Sequence, residues 1–187
     1  MVDNSREKIM EATYRALCQH GYADLSIQKI ADESDKGKSL IYYHYNDKED
    51  LMLSFLNHMK EHIREDQDRI KKNEPGERIE SLLDMALGIE SEEQWEFQKA
   101  FHEFRSQAHH NEKFTKKFQE IDEMILNDVS SIMVEAGAKD PDKAAEMLLS
   151  LLEGAISRKV STADRDGLQK LKNDIREIGR ASCRERV

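Results

Sequence analysis

SIQKIADESDKGKSLIYYHYNDKEDL, residues 26–51, decides the fold: it reads as two short helices around a tight turn, with a third helix beginning at once. Ser26 can cap a helix whose apolar positions Ile27, Ile30 and Ala31 fall one turn apart, and that helix is expected to end near Ser34. The Asp35-Lys36-Gly37 stretch supplies a residue tolerant of positive φ where the chain must turn. Residues 38–44 follow as a second helix, with Leu40 and Ile41 facing inward and Lys38, Ser39, Tyr42, Tyr43 and His44 outside. Asp47, with Asp50 three residues on, then caps a longer helix as an acidic relative of the capping box. This is a helix-turn-helix, whose second helix is of a size that a DNA major groove admits.

Lys38 and Lys48 both fall in the first turn of their expected helices, where the macrodipole disfavours a cation by roughly a few tenths of a kcal/mol. A bound phosphate would reverse that penalty, and helix-start amides with Lys, Tyr and His donors make a backbone clamp. The plainer reading is that Asp47, Glu49 and Asp50 neutralise Lys48 locally.

The segment resembles the N-terminal DNA-binding domain of the TetR (tetracycline-repressor) family of transcriptional regulators. The resemblance rests on Asp35-Lys36-Gly37, Ile41-Tyr42-Tyr43-His44-Tyr45 and Lys48-Glu49-Asp50-Leu51, with a preceding helix over residues 6–20 closed by Gly21-Tyr22. It covers about the first fifty residues; the rest matches the family in length and helical organisation. Where the family has glycine then serine in the turn, this chain has Asp35 and Gly37. The resemblance implies that Tyr42, His44 and Lys48 hold phosphates, while Lys38, Ser39, Leu40 and Tyr43, with Gln28 from the preceding helix, face base edges. It also implies a homodimer on a near-palindromic double-stranded DNA operator, and a small apolar or amphipathic effector held among the middle helices.

Composition agrees with an all-α chain: 187 residues carry 2 Pro and 8 Gly, and charged residues at 36% fall at helical spacing. No apolar run approaches the ~20 residues that span a bilayer, and the N-terminus lacks a secretory apolar segment, so a cytoplasmic location is expected. Cys18 and Cys183 are too few and too far apart for a disulfide framework and are expected as free thiols. The net charge of -9 opposes nucleic-acid binding unless basic groups gather on one face, for which Arg6, Lys29, Lys36, Lys38 and Lys48 are the candidates.

About nine helices are expected, as a three-helix headpiece over residues 1–47 and a ligand-binding and dimerisation bundle over 48–179. Ile9, Ala12, Ala16 and Leu17 form the stripe of the first helix, and a long helix runs from Asp47 to about Lys72. Asn73-Glu74-Pro75-Gly76 breaks it, and Ile79, Leu82, Leu83, Ala86 and Leu87 mark the next helix. Ser91 with Gln94 opens a further one. Phe114 to Ile132 line a helix closed by Gly137, and Asp140-Pro141 starts another. That helix is apolar around most of its circumference, so it is expected to be buried on two sides, one of them a second subunit. Leu148, Leu152 and Ile156, with Leu171 and Ile175 of the last helix, are the candidate dimerisation residues. Residues 180–187, RASCRERV, carry no apolar period and are set apart as a tail.

Met and aromatic side chains of the middle helices suit an adaptable pocket; Phe55, Met59, Met85, Phe101, Phe104 and Phe118 are the effector candidates, against ordinary core packing for each. Neither a phosphate loop nor a nucleophile motif appears, so no catalytic residue and no cofactor is expected. His58 and His62, spaced i, i+4, offer two metal ligands but no third in a recognisable motif, so no metal site is assigned. A metal-binding helical bundle that uses this pair is one alternative function. An adaptor of the same fold that has lost DNA contact is the other.

Overall fold

Side chains that the chain itself supplies set the helix starts. The computed structural model describes residues 4–34, 37–71, 73–87 and 91–184, with side-chain placement for 5–34, 37–71, 73–87 and 91–175. Among them lie nine α-helices and no strand. α1 spans Asn4–His20, α2 Ile27–Asp32, α3 Lys38–His44 and α4 Lys48–Ile70. α5 spans Pro75–Leu87, α6 Glu92–Gln107 and α7 Glu112–Glu135, with a 3-10 turn at Ala108–His110 before α7. α8 is Pro141–Ser161 and α9 is Arg165–Arg184. Ser26 accepts from the Lys29 amide at 3.2 Å, Ser91 and Gln94 form the reciprocal capping box, and Asp140 accepts from Lys143 ahead of Pro141. Gly21 (φ 70°) and Gly137 (φ 79°) turn the chain after α1 and α7 in the left-handed region.

The chain divides into two compact units, one of Met1–Arg64 with Ser91–Ile121, the other of Glu65–Glu90 with Asp122–Val187. In the first, Ile9, Ala12, Ala16 and Leu17 of α1 are buried with Ile27 and Ile30 of α2, Ile41 of α3 and Leu51, Met52, Phe55 and Leu56 of α4. Trp95, Ala100 and Phe104 of α6 and Phe114, Phe118 and Ile121 of α7 complete that core. In the second unit α9 packs on α5 and α8, burying Leu82, Leu83, Leu87, Ala145, Leu152 and Leu168. Lys172 is fully buried there and its Nζ lies 2.9 Å from Asp84. Arg78 donates to both carboxylate oxygens of Glu135 at 2.8 Å. No described helix is long and apolar enough to cross a membrane.

Several expectations need correction. Gly37 has φ -67° and sits as the extended N-cap of α3, so the turn uses no left-handed residue there; Asp35 and Lys36 lie outside the described residues. Pro75 and Gly76 are the first residues of α5, because proline lacks only an amide that helix starts leave unpaired. By spatial contact, α6 and the first part of α7 group with α1–α3 and with α4 as far as Arg64. The α9 backbone stays helical to Arg184, while the side chain of Cys183 and residues 185–187 lie outside the described ones.

Candidate nucleic-acid interface

α3 is anchored by one residue. Ile41 is fully buried, and the Tyr45 amide donates to its carbonyl at 2.8 Å as the helix ends. Lys38, Ser39, Tyr42 and Tyr43 are exposed, and the spacing i, i+1, i+4, i+5 places all four on one face. Tyr42 and Tyr43 are 53% and 81% exposed, which for two adjacent aromatic residues on a seven-residue helix is unusual in a finished surface. Leu40 and His44 are half-buried, and the His44 ring meets the Tyr43 ring edge-on at 5.0 Å. Gln28 on α2 is exposed and donates to Asp32 at 2.7 Å. Arg15 of α1 donates to the Glu33 carbonyl at 2.8 Å, a cation at the C-terminal end of α2.

Lys48 is engaged by its own fold. Its Nζ donates to the Tyr22 carbonyl at 3.0 Å and stands 4.5 Å above the Tyr22 ring. Burial depresses its pKa, while Glu103 and Asp24 oppose that shift. The neighbouring acids expected to neutralise it are occupied elsewhere. Asp47 accepts from the Asp50 amide at 2.8 Å, and Asp50 accepts from the backbone and side chain of Asn46. Glu49 reaches Lys113 and Asn111, each at 2.6 Å, and those hydrogen bonds hold its carboxyl below the usual range.

Tyr22 is therefore a junction that the residue pattern did not reveal. Glu103 of α6 accepts from the Tyr22 amide at 2.8 Å and the Ala23 amide at 3.3 Å. The Tyr22 ring stacks on Phe104 at 4.1 Å. One residue thus joins the end of α1, the start of α4 and the middle of α6. The α1–α6 contact continues with Tyr14 stacked on Phe97 at 4.6 Å and with Cys18, whose thiol burial pushes up to about 11, so it stays protonated and poorly reactive.

Of the effector candidates, Phe55, Met59, Phe101, Phe104 and Phe118 fall in the first unit and Met85 in the second, where it is 38% exposed. Phe104 is fully buried and lies 5.3 Å from Phe118, which meets Phe101 at 5.6 Å: a packed aromatic cluster. Gln67 of α4, not singled out beforehand, has both amide atoms buried with no hydrogen-bond partner among the described residues. Of the dimerisation candidates, Leu152 is 4% exposed and belongs to the core of its own unit, while Leu148, Ile156, Leu171 and Ile175 are half-buried. The apolar residues that α8 leaves in solvent are instead Met147 (57%) and Leu151 (69%).

Comparisons with known proteins converge on one group. The model for bacterial regulatory proteins of the tetR family matches residues 9–55, from α1 into α4. The crystal structure of a TetR transcription regulator from Haloarcula marismortui is 32% identical, with a TM-score of 0.82 over 95% of this chain and 97% of that one. The HTH-type transcriptional repressor AcnR of Corynebacterium glutamicum is 27% identical over 179 residues, 90% of this chain and 88% of the relative. A regulator FadR from Bacillus subtilis, solved in complex with stearoyl-CoA, shares the fold with a TM-score of 0.71 at 20% identity, over 92% of this chain and 96% of that one.

Proposed function

This chain belongs to the TetR family of DNA-binding transcriptional regulators, and we propose that it acts as a homodimeric repressor released from its operator by a small ligand. The observation that carries the reading is the exposed face of α3, where Lys38, Ser39, Tyr42 and Tyr43 lie together over a single buried anchor, Ile41. Side chains with polar tips on a helix narrow enough for the major groove are suited to base edges and phosphates. Lys38, Ser39, Leu40 and Tyr43, with Gln28, take the base edges, and Tyr42 and His44 take phosphates. Lys48 serves the backbone contact with the donors its Tyr22 bond leaves over, and fixes the angle at which α4 leaves the headpiece. Two copies of α3 in a dimer reach successive major grooves about 34 Å apart.

Release needs a ligand that binds more tightly to the spacing that does not fit DNA. The Tyr22 junction supports such coupling, since a shift of α6 carries Glu103 with it, and Glu103 holds the corner from which Lys48 sets α4. The effector is an apolar or amphipathic molecule, of the same broad chemistry as the stearoyl-CoA with which FadR from Bacillus subtilis was solved. Anisotropy titrations against the DNA flanking its own gene, at several salt concentrations, test the reading. A specific site bound at least ~1,000-fold tighter than a scrambled duplex is expected; equal affinity for both would refute it.

A further inference from the structure

We propose that Glu7, His58 and His62 form a site for one divalent late-transition-metal ion, zinc(II) being the test case, that bridges α1 and α4. His58 and His62 stand one turn apart on α4 with their Nε2 atoms 3.1 Å from each other. Glu7 of α1 brings its Oε1 to 3.8 Å from the same His58 nitrogen, and a ligand atom from each of the three lies within 4.8 Å of the others. Metal–ligand bonds of about 2.0–2.1 Å in a tetrahedral site put neighbouring ligand atoms roughly 3.3 Å apart. The two separations at His58, 3.1 Å and 3.8 Å, bracket that value, and a rotation of the exposed Glu7 side chain closes the remaining gap between its carboxylate and His62, which lies within 4.8 Å. Two imidazoles and a carboxylate favour a borderline ion such as zinc, cobalt or nickel over calcium or magnesium, which prefer all-oxygen sets.

The surroundings fit an ion that enters from solvent. Glu7 and His58 line a groove of about 350 Å³ in which Ser54, Asn57 and Glu61 supply further oxygen and nitrogen groups for an outer shell. Arg6 also lines the groove and is its opposing charge. The His58 and Glu7 side chains remain 26% and 47% exposed, leaving a position for water as a fourth ligand. Spacing along α4 shows the histidine pair, but the third ligand comes from a helix about fifty residues earlier. Once loaded, the site pins the first turn of α1 to α4 within the unit that carries α3.

The test uses the full chain, stripped with a chelator, titrated with cobalt(II) and followed by visible absorption, with zinc(II) as competitor. One equivalent is expected to give a ligand-field band that zinc removes. His58→Ala and His62→Ala abolish the band, and Glu7→Gln weakens binding by more than the roughly 10–100-fold that loss of an outer-shell partner causes. Glu7→His, which restores a ligand, recovers it. Metal-free circular dichroism melts check folding; should an alanine variant fail to fold, the wild-type stoichiometry and the Glu7→Gln and Glu7→His pair decide. No stoichiometric band in the wild type, or a band that survives His62→Ala, overturns the site. The measurement contains no DNA, so its failure leaves the operator reading standing, and failure of the operator titration leaves the metal site standing.

Discussion

α3 and α8 both leave large apolar side chains in solvent, but of different kinds. On α3 the exposed groups are Tyr42 and Tyr43 beside Lys38 and Ser39, rings with polar tips among hydrogen-bonding neighbours. On α8 they are Met147 and Leu151, one turn apart, with no polar atom beyond a thioether. A wet, charged partner pairs with the first and gains little from the second, whereas a dry face of another chain gains most from the second. What tells the partners apart is the chemistry at the tips of the exposed residues rather than how much apolar area is exposed. The proposed operator and the proposed second subunit follow from that difference.

The comparison is sharpest where an exposed residue sits beside its buried neighbour. Ile41→Ala in α3 and Leu152→Ala in α8 each remove a fully or nearly buried side chain. Each is expected to lower unfolding free energy by about 2–5 kcal/mol, read from urea denaturation at fixed protein concentration. A loss under about 1 kcal/mol for Leu152→Ala would return that residue to the candidate subunit interface. Next in size is Gly21→Ala, expected to cost about 2 kcal/mol. An alanine at φ 70° is strained by about 1–2 kcal/mol, and its Cβ would stand 2.9 Å from Glu103 Oε2, pressing the carboxylate off the Tyr22 and Ala23 amides. Unchanged stability would mean that the Glu103 bridge is dispensable.

How legible these features were depends on the range of the interactions behind them. Ser26, Ser91 with Gln94, and Asp140 with Pro141 act within four residues, so the chain announces those helix starts by itself. The buried side of α3 was nearly as plain, because Leu40 and Ile41 are its two aliphatic residues; Ile41 is fully buried and Leu40 half-buried. α8 was ambiguous: with apolar residues around most of its circumference, periodicity permits several faces. Packing against α9 selects Ala145 and Leu152, and α9 itself buries Lys172 beside Leu168. A lysine at the centre of a core has no local signature, since its partner Asp84 lies in α5. Lys48 illustrates the same limit. Its carbonyl partner is 26 residues away and Glu103 is a further helix removed, so reasoning confined to the first turn of α4 could weigh only neighbouring acids or a phosphate.

A smaller effect separates the two jobs assigned to Lys48. Lys48→Ala removes one hydrogen bond and one cation–π contact, partly offset by relief of a buried charge, and is expected to cost about 1 kcal/mol of stability. If the remaining donors also meet the DNA backbone, binding weakens alike for all sequences and the slope of log K against log salt falls by about 0.9. Lys38→Ala, by contrast, is expected to change sequence preference. An unchanged slope in Lys48→Ala would leave that residue a positioning role alone.

The smallest changes in the chain's own stability fall on Tyr43→Ala and Leu151→Ser, within about 0.5 kcal/mol for each folded monomer, because both side chains are largely in solvent. Their effects on partners should divide. Tyr43→Ala is expected to weaken specific DNA binding by about 10-fold or more while leaving the subunit association constant unchanged. Leu151→Ser is expected to weaken association, seen by sedimentation as dissociation at concentrations where the wild type stays dimeric. Folding coupled to assembly makes the dimer's urea midpoint rise with protein concentration, and that rise should flatten in Leu151→Ser but not in Tyr43→Ala. Loss of DNA affinity in Leu151→Ser should then be recovered by raising protein concentration, since its α3 is intact, whereas no concentration of Tyr43→Ala restores sequence preference. If instead both variants lose DNA affinity and neither alters the concentration dependence, the exposed face of α8 is not a subunit contact and the two surfaces differ less in purpose than their chemistry implies.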